Sequence, residues 1–289
     1  MLYVNPGYIE LMDGSVSGKT VLNNNGPAFY NTLNGYNLNI TGYKELWVKL
    51  KFVYAGKIIR IYTQIDRTTG VIVSSSTEYH LWHNDSDLSG GFQCGELVAG
   101  NEYEILLHTK SDSTNGIAEF YINGVLNNSY FGAMDVGAFP GIEIQSDSNT
   151  FFRDLIIADF DITDYHIAQC DVKSYETNFE KQSDGSLKAT AAGNYLSSVI
   201  DTDALETEMK KNVTSAEIVG VNVTAFSVNY DSSVINALKS SIDGTDSEDL
   251  TITNNNVAGK VLTINPELNQ AWTIDQLKTA NFKLTAEKV

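Results

Sequence analysis

Residues 101–130 read NEYEILLHTKSDSTNGIAEFYINGVLNNSY, and this stretch decides the fold. Tyr103–Thr109 and Ile117–Ile122 are β-rich runs separated by a polar break, Lys110–Gly116, and Asn123-Gly124 turns the second run into a third, Val125–Tyr130. An Asn-Gly pair between such runs marks a two-residue hairpin, because both central residues of a type I′ turn need positive φ. Ala118, Phe120 and Ile122 alternate with Glu119 and Tyr121. Period two puts one set on a core and the other on the opposite face.

Upstream the same pattern recurs. Across Tyr43–Tyr54, Leu46, Val48, Leu50 and Phe52 share one face, while Trp47, Lys49 and Lys51 share the other. Further strands are predicted at Lys57–Gln64, Val71–Ser75, Glu78–His83 and Gly141–Gln145, and Phe151–Ile162 suits a closing core strand. Glycines at 35, 56, 70, 90, 91 and 100 punctuate these runs. The expectation is an all-β, antiparallel sandwich of two sheets.

The 289 residues suffice for two cores. Of 30 aromatic residues, 23 lie in residues 1–166 and 7 in the remainder, which predicts two domains, 1–166 and 167–289, with different interiors. Net charge is −17, from 9 basic against 19 acidic residues in the first part and 10 against 17 in the second. Neither half offers the cationic surface that phosphate backbones or anionic membranes require, so no nucleic-acid partner and no membrane insertion are expected. Cys94 and Cys170 do not make a disulfide framework, and low cysteine use points to folding in a reducing compartment. The first residues, MLYVNPGYIELMDG, carry neither a basic nor an apolar leader, so no signal peptide is expected.

In the second half, Glu217–Asn229, Val257–Ile264 and Asn281–Ala286 read as strands. Leu205–Asn212 reads as a short helix, and Thr273–Thr279 as one or two helical turns opened by Thr273.

The strand–polar turn–hairpin pattern of residues 101–130 resembles the end of concanavalin A-like and laminin-G-like lectin sandwiches. That resemblance implies a jelly-roll binding module over residues 1–166. The closing segment, Ala271-Trp272-Thr273-Ile274-Asp275-Gln276-Leu277 followed by Asn281-Phe282-Lys283-Leu284, resembles the ending of small β-sandwich domains in tailed-bacteriophage structural proteins. Asp243-Gly244-Thr245 matches the turn that precedes that motif, whereas the usual glycine before the last strand is replaced near Asn281. The resemblance implies a smaller second sandwich with one or two short helices, serving virion assembly or display.

Four constellations invite chemistry. Concanavalin A-like hydrolases use paired carboxylates. Of the acids Asp159, Asp161 and Asp164, the first two would point the same way from the closing strand, but the triplet lies at the domain's end and lacks the long Glu arms; acids solvating the outer face of the last strand are the expected reading. Glu102 and Glu104 flank Tyr103 at a strand entrance and are read as solvent-exposed. His80 and His83 sit an odd number of residues apart, so with His108 they are read as surface or edge histidines, and no metal site is assigned. Calcium enters only as a candidate ligand of the acidic loops 84–87 and 243–249, which lack EF-hand spacing. For glycan, Trp82, His83, Asn84 and Asp85 are the candidate residues: an aromatic face stacks on a sugar ring while neighbouring amide and carboxylate groups take its hydroxyls.

These readings favour a non-enzymatic bacteriophage virion structural protein (tail, tail fibre or head decoration), assembling with other virion proteins and with itself as a homo-oligomer. A host cell-surface glycan is its further expected partner. Such a protein is made in the host cytoplasm and released within the virion. The alternatives are a lectin-like carbohydrate-binding module and a glycan-degrading enzyme of the same fold.

Overall fold

The computed structural model describes the chain apart from residues 1, 6–18, 24–25, 32–35, 55, 57–58, 64–68, 74–78, 84–85, 88–96, 135–136, 147–149, 169, 184, 213–216, 223–224, 227–232, 234, 252–256, 259–260, 263–269 and 289. It divides into two compact units, Met1–His166 and Ile167–Val289. Both are built from antiparallel strands, and the described residues include two short helices.

The first unit contains β1 (Leu2–Asn5), β2 (Lys19–Asn23), β3 (Gly26–Asn31), β4 (Tyr36–Tyr43), β5 (Glu45–Val53), β6 (Ile59–Tyr62) and β7 (Thr69–Val73). It continues with β8 (Tyr79–His83), β9 (Ser86–Asp87), β10 (Glu102–Lys110), β11 (Asp112–Ile122), β12 (Val125–Met134), β13 (Phe139–Ser146) and β14 (Thr150–Ala158). An eight-stranded sheet runs β12-β11-β10-β5-β14-β3-β2, with β1 also paired to β14. A six-stranded sheet runs β4-β13-β6-β7-β8-β9.

The period-two reading of β5 holds residue by residue. Leu46, Val48, Leu50 and Phe52 are fully buried and join Ile105, Leu107, Phe120 and Phe152 of the same sheet against Ile59, Ile61, Ile142 and Ile144 of the other. This apolar layer holds the sandwich together, each fully buried aliphatic or aromatic side chain contributing about 1.5–3 kcal/mol.

The hairpin turn forms as its sequence requires, with φ of 49° at Asn123 and 77° at Gly124, between Ile122 and Val125. Asn123 also ties the turn to its neighbour, since its Oδ1 accepts the Glu104 N–H at 2.9 Å. The polar break, in contrast, is not a break. β11 starts at Asp112 and carries Ser113–Gly116 into the ladder through an irregular register. Asp112 closes a local turn there, accepting the Thr114 and Asn115 N–H groups. Gly116 lies so close to Met134 that any Cβ at 116 would clash with it. Tertiary pairing overrides the weak strand preference of Ser, Asn and Gly here.

In the second unit, strands Val172–Thr177, Tyr195–Ile200, Phe282–Glu287, Ala237–Ile242 and Thr245–Thr251 form a five-stranded sheet in that order. Helices cover Asp203–Asn212 and Ile274–Thr279. Trp272, Ile242, Leu205, Leu277, Ala280 and Phe282 form its larger core cluster. Within the strand expected at Glu217–Asn229, the described residues form Val221–Asn222 and Ala225–Phe226 and a bridge from Ile218 to Trp272, while residues 223–224 and 227–229 lie outside the described residues. Among the described residues no helix is long and apolar enough to cross a membrane.

Candidate functional site

The outer face of the six-stranded sheet assembles the residues best suited to a ligand. Ile59, Ile61, Ile142 and Ile144 belong to the core, so the alternate positions of β6 and β13 belong to the other face. The register extends that face across the sheet. One row runs Gln145, Arg60, Ile72, His80. The next runs Asn37, Glu143, Tyr62, Gly70, Trp82, Asp87. Strands lie about 4.8 Å apart, so the second row spans roughly 24 Å. Tyr62 is buried and Arg60 half-buried.

Gly70 stands between the two aromatic positions. A glycine inside a strand often marks close approach of a ligand or another backbone, since it leaves a gap one side chain wide. Of the four residues singled out from the sequence, Trp82 takes its place in this row, while His83 pairs with Thr69 and Ser86 in the opposite alternation. Asn84 and Asp85 lie outside the described residues. Arg60, Tyr62, Gln145 and Glu143 were missed, because only strand register brings them into the same sheet rows as Trp82 and His80.

The opposite side of the unit is charged and closed. On the outer face of β5, β10 and β11, the His108 ring stacks on Trp47 with centroids 3.7 Å apart. Its nitrogens lie 2.8 Å from Glu119 Oε2 and 2.9 Å from Glu45 Oε1. His108 is therefore a buried residue of a central strand, not the surface or edge histidine expected. Tyr121 donates its hydroxyl to Glu119 at 3.3 Å, and burial, followed by the Glu119 charge, raises its pKa above the ordinary phenol value.

Next along this face, Lys49 Nζ bonds the Thr163 and Tyr165 carbonyls at 3.0 and 2.9 Å and pairs with Glu104 at 3.1 Å. Arg153 grips Glu102 through two hydrogen bonds of 2.7 and 2.6 Å. Glu102 and Glu104 are thus ion-pair partners, and the solvent-exposure reading is corrected. β14 ends at Ala158, so the Asp159–Asp161 pair is not on a strand. Asp161 instead builds the following turn by accepting from the Thr163 N–H and hydroxyl. With Ile162 buried and Lys49 holding the two carbonyls, this segment lies over the sheet.

Asp154 is the unusual group of this network. It sits at a β-bulge with φ of 55° and is buried, 3.0 Å from Lys51 Nζ and 3.3 Å from Arg153. Burial raises its pKa above the ordinary carboxylate value, and the Lys51 and Arg153 charges only partly offset this. The folded chain therefore binds this proton more readily than the unfolded chain. Stability falls as pH rises from the ordinary Asp range through the raised folded value, and the loss is complete above it. Asp154→Asn keeps a residue tolerant of positive φ and removes the ionisation. It is expected to flatten this pH dependence, so that the urea midpoint of the variant falls less than that of wild type as pH rises through the acidic range.

Among the described residues no group of three or more His, Cys, Asp or Glu side chains is placed to hold a metal ion. The second acidic loop is a hairpin turn, with φ of 50° at Asp243 and 82° at Gly244, and Asp243 Oδ1 accepts the Asn281 N–H at 2.7 Å. Cys170 is a free thiol whose pKa is raised by burial and by Asp201 and Asp171; Cys94 lies outside the described residues.

No family model matches this chain, and no curated protein does. Solved structures do match. An endo-β-1,4-glucuronan lyase from the fungus Trichoderma reesei is 10% identical with a TM-score of 0.39, over 55% of this chain and 95% of its own. A mutant of alginate lyase Aly36B bound to alginate trisaccharide is 12% identical with a TM-score of 0.32, over 50% and 79%. The Caenorhabditis elegans galectin LEC-6 is 14% identical with a TM-score of 0.32, over 45% and 95%. The chain is similar to lectin-like and glycan-lyase sandwiches in fold. The expectation of a non-enzymatic chain is corrected accordingly, since two of these three structures are glycan-degrading enzymes.

Proposed function

We propose that this chain is a carbohydrate-recognising protein whose binding strip is the outer face of the six-stranded sheet. The pair Gly70–Trp82 carries the reading. One aromatic position beside a gap suits a pyranose ring, whose apolar face stacks on an aromatic while its hydroxyls seek hydrogen-bond partners; Tyr62, being buried, backs the row and offers no face to a ligand. The flanking positions supply such chemistry: amides at Asn37 and Gln145, a carboxylate at Glu143, a guanidinium at Arg60 and an imidazole at His80. Arg60 and His80 in one row stand beside Glu143 and Asp87 in the other, so the strip's formal charges do not select acidic over neutral sugars. His80 and Glu143 are also acid–base residue types that cleavage of a glycan would need.

The experiment is titration calorimetry against alginate, glucuronan and galactoside oligomers, with product formation followed on the same panel. Trp82→Ala is expected to weaken the binding shown by wild type at least tenfold, roughly 1.4 kcal/mol. Equal affinity in Trp82→Ala and wild type would place recognition elsewhere. A second reading, assembly within a bacteriophage particle, draws on the closing segment, whose Trp272, Leu277 and Phe282 meet in one core. Mass spectrometry of purified particles tests it: absence of the chain from them removes it.

A further inference from the structure

We propose that β12 is the seam of a homodimer, in which two copies of this chain pair their β12 strands edge to edge and antiparallel. The strand terminates the order of the eight-stranded sheet, with β11 on one side and no strand on the other among the described residues. Natural sheets blunt such an edge with charge, proline, shortness or a twist-inducing bulge. Here the strand runs for ten residues, VLNNSYFGAM, without a charged residue or a proline. Its register irregularities fall towards its ends, leaving Asn128–Gly132 in regular pairing with Gly116–Phe120. It also exposes apolar side chains: Val125 is 67% exposed, Leu126 48% and Phe131 65%.

Charge selects the occupant. With 9 basic against 19 acidic residues in 1–166, a second copy is repelled over much of this unit's surface. β12 offers an approach without formal charge, and antiparallel self-pairing sets this neutral strip against itself. A two-fold axis needs only one such self-complementary patch. The neighbouring acids do not intrude: Glu119, opposite Ser129, is held by His108 at 2.8 Å, and Asp112 lies at the far end, opposite Met134. One backbone donor is already used, the Ser129 N–H bonding Asn128 Oδ1 at 2.7 Å.

Size sets the strength. Ten residues make an edge about 34 Å long and a sheet is about 10 Å thick, so the footprint is roughly 340 Å² per copy. That is below the ~800 Å² per partner of stable complexes. The dimer is therefore a reversible one, held by a backbone ladder and the exposed apolar side chains.

Sedimentation equilibrium of the full chain from about 1 to 300 µM tests this. Wild type is expected to pass from monomer to dimer across that range, more readily at high salt, because screening removes residual acidic repulsion. Phe131→Lys and Ser129→Lys, both at exposed positions near the middle of the strand, each place a charge close to the two-fold axis of the neutral seam. Both are expected to weaken association at least tenfold while the circular dichroism and melting temperature stay those of wild type. Two residues guard against one variant simply misfolding. A wild-type monomer at every concentration, or folded lysine variants that dimerise like wild type, would overturn the proposal.

Discussion

Lys49→Ala is expected to destabilise the first unit by about 3–5 kcal/mol, the usual cost of removing one partner from a buried ion pair. The side chain of Lys49 is 4% exposed and that of Glu104, at 3.1 Å, is 17% exposed. Its loss leaves the Glu104 carboxylate uncompensated and the Thr163 and Tyr165 carbonyls without this donor. Lys49 also contributes an apolar stem that packs on the sheet. Lys49→Met keeps that stem, so it is expected to recover only the packing part, on the order of 1 kcal/mol. Urea unfolding of both variants measures the difference, and hydrogen exchange should show residues 161–166 losing protection first. A Lys49→Ala cost below 1 kcal/mol would mean that Ile162 alone holds this segment in place.

What the sequence reveals here is what period two and turn chemistry encode. Leu46, Val48, Leu50 and Phe52 announce a half-buried strand because their alternation is unbroken. Asn123-Gly124 announces its turn because positive φ at two successive positions admits few residues. Segments stabilised mainly by their neighbours are harder to read. Asp112–Gly116 has the composition of a loop and becomes a strand because β12 pairs with it. Ala237–Ile242 carries two serines, Ser240 and Ser241, both buried, so its core side is hidden in an apparently polar run.

The site is less legible than the fold, for a geometric reason. Trp82 stands out in the sequence by its chemistry, yet the positions beside it, Gly70 and Asp87, come from other strands. The charged network hides in the same way. Lys49 lies opposite Leu106, and its partner Glu104 is the diagonal neighbour on β10. A spacing rule within one strand finds neither pair. Acidic residues that read as solvated, Glu102 and Glu104, are drawn inward once register supplies Arg153 and Lys49. The acid pair that most resembles a catalytic couple, Asp159 and Asp161, loses that geometry because β14 stops one residue before it.

Trp272→Ala is expected to cost the second unit about 3–5 kcal/mol, the range for emptying a large aromatic site in a core. Trp272 is buried among Leu205, Ile242, Leu277, Ala280 and Phe282, and it also bridges Ile218. The neighbouring helix cannot compensate for the loss. Ile274–Thr279 is only six residues long, too short to persist alone. Its capping box, in which Thr273 and Gln276 satisfy each other's backbone N–H groups, fixes one end. Leu277, its one buried residue, packs in the cluster that Trp272 completes. Against a domain stability of about 5–15 kcal/mol, such a loss is a large fraction. Hydrogen exchange on Trp272→Ala is expected to show faster exchange across 203–212 and 272–287 than in wild type, with β5, β10 and β11 unchanged. Thr273→Ala provides the scale, because losing the cap alone costs about 1 kcal/mol. Equal effects of the two substitutions would show that the cap, and not the indole, organises this end of the chain.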